Sequence, residues 1–230
     1  MKGSARKSYY PLFADVTGRR CLVVGGGLVA QRKVAGLLRC GAEVVVISPM
    51  VTRRLAAQIR TKRVRHITRT FRPSDARSAW LVYAATDDPK VNVSVFRAAS
   101  RHRVFANVVD QKRLCSFIAP AVMRRGELTI GVSTGGGSPS LAKRLRRDLH
   151  EQMGAYYVPM LELLARLRRR VRRTLSGYAS RKRYFEAVLS GRPAELMRQG
   201  HRRAAQREAL VLLARAQRVQ APPSRISTTS

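Results

Sequence analysis

The stretch RRCLVVGGGLVAQRKVAGLL, residues 19–38, sets a short apolar run against three glycines and then a segment of helical periodicity. Gly25, Gly27 and Ala30 match the spacing G-x-G-x-x-G/A, with Gly26 in the first variable place. The spacing has a steric basis. The first glycine permits a tight turn, the second lets backbone N–H groups approach a pyrophosphate, and the third small residue lets helix and strand pack closely. A helix N-terminus then adds partial positive charge for the phosphates. The same pattern also suits a tight strand-to-helix turn with no ligand, so its context decides.

That context is a strand–helix repeat. RCLVVG reads as a buried strand, and LVAQRKVAGLLRCG as a helix that stops at Gly41. AEVVVISP is a second buried strand, VTRRLAAQIRTK an amphipathic helix, and VRHITRT an edge strand. SAWLVYAAT is a further buried strand, DDPKVNVSVFRAASRH a helix capped by Asp87 or Asp88, and RVFANVVD a fifth strand. Units of this length predict a parallel sheet with helices on both faces, a Rossmann-like α/β fold.

After Asp110 the pattern changes. SFIAPAVMRRGELTIGVST predicts a hairpin turning near Arg124, Arg125 and Gly126. TGGGSPS then leads into the helix LAKRLRRDLHEQM, for which Ser138 can serve as cap and Pro139 suits the first turn. Beyond it Met160, Leu164, Leu167, Val171 and Leu175 recur at helical spacing, with arginines on the opposite face. RKRYFEAVLSG, PAELMRQG and REALVLLARAQR predict three shorter helices, and APPSRISTTS a disordered tail.

Composition narrows the classes. A formal charge of +33, carried mostly by arginine, suits acidic ligands, although a compositional bias of the host gives the same excess. Cys21, Cys40 and Cys115 form no Cys-x-x-Cys pair and read as reduced thiols of a cytoplasmic protein. His66, His102, His150 and His201 lack metal-ligand spacing, so no metal site is expected. The basic N-terminus has no apolar signal-peptide region, and no apolar run approaches the roughly 20 residues that span a bilayer. A soluble protein without membrane partners is expected.

Two positions bear on chemistry. The second strand ends in Ser48, Pro49 and Met50, where dinucleotide-binding folds usually carry an acid for the adenosine ribose. Ser48 could bond a ribose hydroxyl, and the choice between NAD and NADP stays open. Asp110 follows the fifth strand, at the carboxyl edge where ligands of open parallel sheets bind. It either caps a turn or accepts a proton during hydride removal.

The segments LVVGGGLVAQRKV, AATDDPKVN, FANVVD and SFIAPAVMRRGELTIGVSTGGGSPSLAKRLR occur in that order, the last being the most specific. With them the chain resembles the precorrin-2 dehydrogenase family, which is similar to the N-terminal module of siroheme synthase. The resemblance implies NAD-dependent oxidation of precorrin-2, a tetrapyrrole, to sirohydrochlorin. In parts of the family the same site inserts ferrous iron, and that activity stays open for this chain. The resemblance also implies a homodimer, with a dinucleotide-binding domain over 1–112, a small β dimerisation region over 113–145, a helical C-terminal domain over 146–215 and the tail over 216–230. Carried over by position, Gly25, Gly26, Gly27, Leu28 and Val29 form the pyrophosphate turn. Pro49 and Met50 face the adenosine, Thr86 and Asn107 lie near the cofactor, and Asp110 is the catalytic aspartate. Thr134 and Ser138 are candidate substrate-binding hydroxyls. At 230 residues the chain is expected to lack the methyltransferase module of siroheme synthase proper.

Three rival readings belong to other classes. One is a regulatory module that binds NAD without turnover, which the fold alone permits. Another is nucleic-acid binding, suggested by charge but unsupported by aromatic platforms or a known motif, so no specific nucleic acid is expected as partner. The third is membrane-surface binding through the basic amphipathic helix that ends near Leu175.

Overall fold

The computed structural model describes residues 8–220. The predicted disordered stretch 221–230 lies outside the described residues. Contacts divide the chain into two compact units. The first holds the residues up to Pro120 together with Ser133–Pro139, and the second Ala121–Val132 with the residues from Ser140 onward.

The first unit is built on five short strands: β1 (Arg20–Val24), β2 (Glu43–Ile47), β3 (Arg65–Ile67), β4 (Leu81–Ala84) and β5 (Phe105–Val108). All pair in parallel, in the order β3-β2-β1-β4-β5. The chain winds outward from β1 to β3 and then resumes on the other side of β1. The carboxyl ends of β1 and β4 therefore flank the point where winding reverses, which is where ligands bind in such sheets.

Continuous valine and leucine runs make these strands because both faces are covered. On one face Ala30, Val34 and Leu37 of α1 (Leu28–Arg39) pack with Cys21 and Val23 of β1 and with Leu55 of α2 (Arg53–Arg60). On the other, Val95 and Ala99 of α3 (Pro89–Arg101) pack with Leu22, Val82 and Ala106. Each fully buried valine or leucine contributes about 1.5–3 kcal/mol. Local signals set the helix starts. Thr52 caps α2 by accepting from the Leu55 N–H at 3.3 Å, and Asp88 caps α3 by accepting from Lys90 N–H at 2.8 Å and Val91 N–H at 3.3 Å. Helix α1 ends before Gly41, whose φ of +73° a residue with a side chain adopts only under strain.

The second unit contains the antiparallel pair β6 (Ala121–Arg125) and β7 (Leu128–Val132), joined through Gly126, as the sequence predicted. Helix α4 (Pro139–Gln152) follows, and Arg125 of β6 donates to the His150 and Met153 carbonyls at its end, at 2.9 and 2.7 Å. Helices α5 (Tyr157–Thr174), α6 (Tyr178–Ser190), α7 (Arg192–Arg198) and α8 (Arg202–Gln220) share a second core around Leu163, Val171, Val188 and Leu213. The buried Tyr184 hydroxyl donates to the Ala209 carbonyl at 2.9 Å, which ties α6 to α8. No helix among the described residues is long and apolar enough to cross a membrane.

Candidate functional site

The glycine turn occupies the end of β1, and each glycine is there for a different reason. Gly25 has a φ of +118°, and a Cβ on it would lie 2.1 Å from the Ala85 carbonyl oxygen. The backbones that follow β1 and β4 thus touch at this point. Gly26 is pinned from the other side, since its Cβ would lie 1.9 Å from the Met50 carbonyl oxygen. A Cβ on Gly27, by contrast, would meet nothing within 4 Å; φ there is an ordinary −77°, and the residue is exposed. No contact inside the protein therefore requires a glycine at 27. The N-cap of α1 receives no side-chain hydrogen bond, and Leu28 beside it is 71% exposed. The first turn of this 12-residue helix thus starts from bare backbone with no side-chain cap on its N–H groups. Those features fit a pyrophosphate. Ala30, fully buried against the sheet, fills the third place of the motif as the close-packing residue.

The segment after β2 is clasped to this turn. Gly25 N–H donates to the Ile47 carbonyl at 2.9 Å and Thr52 N–H to the Gly26 carbonyl at 3.0 Å. The Thr52 hydroxyl donates to the Gln31 side-chain oxygen at 2.8 Å. Pro49 and Met50 are left exposed beside it, Met50 at 81%. Ser48 is buried and donates its hydroxyl to the Met50 carbonyl at 2.6 Å. That bond shapes the loop and takes up the proton the sequence offered to a ribose.

Thr86 follows β4 and belongs to a capping network. Its hydroxyl accepts from Asp88 N–H at 3.2 Å and lies 3.1 Å from the Asn92 side-chain oxygen. The buried Asn92 amide donates in turn to the Thr86 carbonyl at 2.9 Å. Asn107 is buried in β5, and its amide donates to the Phe117 carbonyl at 3.0 Å, fastening the segment after Asp110 to the sheet. Both residues shape the carboxyl edge through the backbone.

Asp110 closes that edge. It is exposed, and its φ of +59° is left-handed, a conformation aspartate tolerates better than most residues. Gln111 N–H bonds to the Val108 carbonyl at 3.2 Å around it. Asp88 spends its carboxylate on backbone N–H groups, whereas the Asp110 carboxylate caps nothing among the described residues. The turn thus presents an acid it does not use.

Sequence reasoning missed Lys33. Its ammonium lies 4.7 Å from the centre of the Tyr83 ring, within range of a cation–π contact. Burial pushes the Lys33 ammonium below the usual lysine range and neighbouring Arg32 adds to this, while Asp110 and Cys115 act in the opposite direction. Lys33 therefore shares an electrostatic environment with Asp110 although it comes from α1. Its place three residues after Ala30, on the flank of the buried stripe, was the available signal.

The second glycine-rich loop belongs to the same unit. The Thr134 hydroxyl accepts from Ser138 N–H and donates to the Ser138 carbonyl, both at 3.0 Å. Gly136 packs on the stem of Lys112, which lies two residues after Asp110. The fold brings loop 133–139 to the segment that follows Asp110, with the Thr134 hydroxyl engaged inside the loop. Among the described residues no three His, Cys, Asp or Glu side chains gather as a metal site. The cysteines are thiols, and burial with the nearby Cys40 pushes Cys21 up to about 11.

Comparison with known proteins assigns most of the described length. The family model for putative NAD(P)-binding domains matches residues 12–121, that for the sirohaem biosynthesis protein central region 125–152, and that for the sirohaem synthase dimerisation region 157–213. A siroheme synthase of Baumannia cicadellinicola is 36% identical over 200 residues, covering 87% of this chain and 43% of that protein. Siroheme synthase 1 of Pectobacterium atrosepticum is 38% identical over 193 residues, covering 84% of this chain and 40% of that protein. The chain thus spans less than half the length of these curated relatives. The solved structure of SirC, a precorrin-2 dehydrogenase, superposes with a TM-score of 0.72 at 25% identity, covering 90% of this chain and all of that one. Three successive family matches on a fold shared with that dehydrogenase place the chain in the precorrin-2 dehydrogenase and siroheme synthase family.

Proposed function

We propose that the chain oxidises precorrin-2 to sirohydrochlorin with NAD. The observation that carries this reading is Asp110, a carboxylate held by a left-handed turn at the edge of the dinucleotide-binding sheet and committed to no cap. Bound NAD supplies the hydride acceptor. The N–H groups from Gly27 to Val29 hold its pyrophosphate, the bare backbone at Gly25–Gly27 lets it approach, and Pro49 and Met50 border the adenosine. Thr86 and Asn107 keep the ends of β4 and β5 in register with the nicotinamide end. The substrate loses two hydrogens, one as hydride to the nicotinamide and one as a proton to the Asp110 carboxylate. Thr134 and Ser138 order the loop next to Lys112, and backbone and cationic groups there meet substrate carboxylates. The relatives' names and the SirC superposition support the reaction.

A homodimer fits the match to a dimerisation region and the exposure of Leu145 and Leu149, one turn apart on α4, together with Val122 of β6. In that arrangement residues 1–112 bind the cofactor, 113–145 join the protomers and 146–215 complete the helical part. Reduced thiols suit a cytoplasmic location. Ferrous iron, as a second substrate, would enter the finished macrocycle while Asp110 takes pyrrole protons. Supplying precorrin-2 and NAD without oxygen, then ferrous iron, and following the absorption spectrum tests both stages. Reduced nicotinamide in the first stage supports the dehydrogenase; NAD binding without turnover supports the regulatory alternative.

A further inference from the structure

Lys33 is a cation without a carboxylate of its own. It is half-buried on α1, and it makes no ion pair among the described residues. Its ammonium instead lies 4.7 Å from the centre of the buried Tyr83 ring. A ring face returns only part of what a charge loses on leaving water, and burial accordingly pushes the ammonium below the usual lysine range. Packing on Tyr83 alone would be served as well by an uncharged side chain of similar length. The charge is therefore a cost that the fold bears and an arriving anion would offset.

Its position identifies the anion. Side chains on a helix tilt toward the helix N-terminus, so the stem of Lys33 runs toward the start of α1, at the carboxyl edge of the sheet. Tyr83 is the last residue but one of β4. Ala84, next to it, accepts from Val109 N–H at 3.0 Å, and Asp110 follows Val109. The ring beneath the ammonium and the proposed proton acceptor are thus each one residue from the same hydrogen bond. Tyr83 also meets Phe117 edge-on at 5.4 Å between ring centres, and Phe117 belongs to the segment that Asn107 fastens after Asp110. The attraction between Lys33 and Asp110, which form no ion pair, agrees with this placement. In the proposed binding mode the pyrophosphate is held by N–H groups from Gly27 to Val29. The substrate, brought to Asp110 for reaction, is then the source of the anion, and its carboxylates supply the charge.

We propose that Lys33 holds a carboxylate of the tetrapyrrole substrate beside Asp110. The proposal rests on the dehydrogenase reading and adds a substrate contact within the dinucleotide-binding unit. Lys33→Met tests it in the full chain, since methionine keeps a flexible stem against Tyr83 and removes the charge. Lys33→Gln is the uncharged variant to use if the methionine variant fails to fold. Titration with sirohydrochlorin in the absence of NAD reads the contact without turnover. The expected result is that sirohydrochlorin affinity and the KM for precorrin-2 each weaken by about tenfold, as loss of one charge-assisted hydrogen bond implies. The kcat should change by no more than about threefold and NAD affinity by no more than about twofold, because the lost contact serves ground state and transition state alike. Lys33→Arg should recover most of the lost affinity, since a guanidinium also pairs with a carboxylate. Arg60→Gln, an exposed change at the end of α2, should alter none of these values and so controls for general charge. Unchanged sirohydrochlorin affinity in the uncharged variant overturns the proposal. A comparable fall in NAD affinity also overturns it, because the ammonium then serves the dinucleotide. So does a fall in kcat with KM and sirohydrochlorin affinity unaltered. If the unaltered protein binds NAD but neither binds sirohydrochlorin nor turns over precorrin-2, the dehydrogenase reading fails and the anchor fails with it.

Discussion

The molecule has two glycine-rich turns, and glycine serves different needs in them. At 25–27 the need is space: the segments after β2 and β4 press against Gly26 and Gly25 so closely that no side chain fits. At 135–137 the need is handedness: Gly135 and Gly136 have φ of +62° and +79°, while a Cβ on Gly135 would meet nothing within 4 Å. Within the first turn Gly27 answers to neither need. A glycine that the fold does not require, at the bare start of a helix, is the one that points to a ligand.

Substitutions separate these causes. Gly25→Ala combines a backbone clash with an unfavourable φ and should cost about 3 kcal/mol or more, read as a fall in chemical-denaturation midpoint. Gly135→Ala meets only the handedness penalty and should cost about 1 kcal/mol, with Gly135→Asn costing less. Gly27→Ala should change stability by no more than about 0.5 kcal/mol. It should nevertheless weaken NAD binding by about tenfold or more in calorimetry, because the methyl group stands between the phosphates and the N–H groups. Equal stability losses at Gly25 and Gly27 would erase the distinction, and so would unaltered NAD affinity in Gly27→Ala.

The same distinction explains what could be read from the sequence. The run into Val24, the stripe Ala30, Val34, Leu37 and the stop at Gly41 are local, so the first strand–helix unit was legible, as were the parallel sheet that repetition implies and the hairpin around Gly126. The closeness of Met50 to Gly26 depends on a loop more than twenty residues away, and no local pattern encodes it. The position of Asp110 was legible as a strand end. Its left-handed backbone and uncommitted carboxylate were not, because capping and presenting an acid require the same residue type.

In the proposed reaction Asp110 performs the chemistry while the glycine turn only holds the cofactor. Asp110→Ala, compared with the unaltered protein, tests it most directly when NAD affinity and anaerobic formation of reduced nicotinamide from precorrin-2 are measured on the same preparation. The predicted result is dinucleotide affinity within about twofold of the original, since the acid makes no bond to the turn, with turnover reduced by about a hundredfold or more, the lower range of acid–base contributions. Turnover retained at the original rate would show that Asp110 is not the proton acceptor.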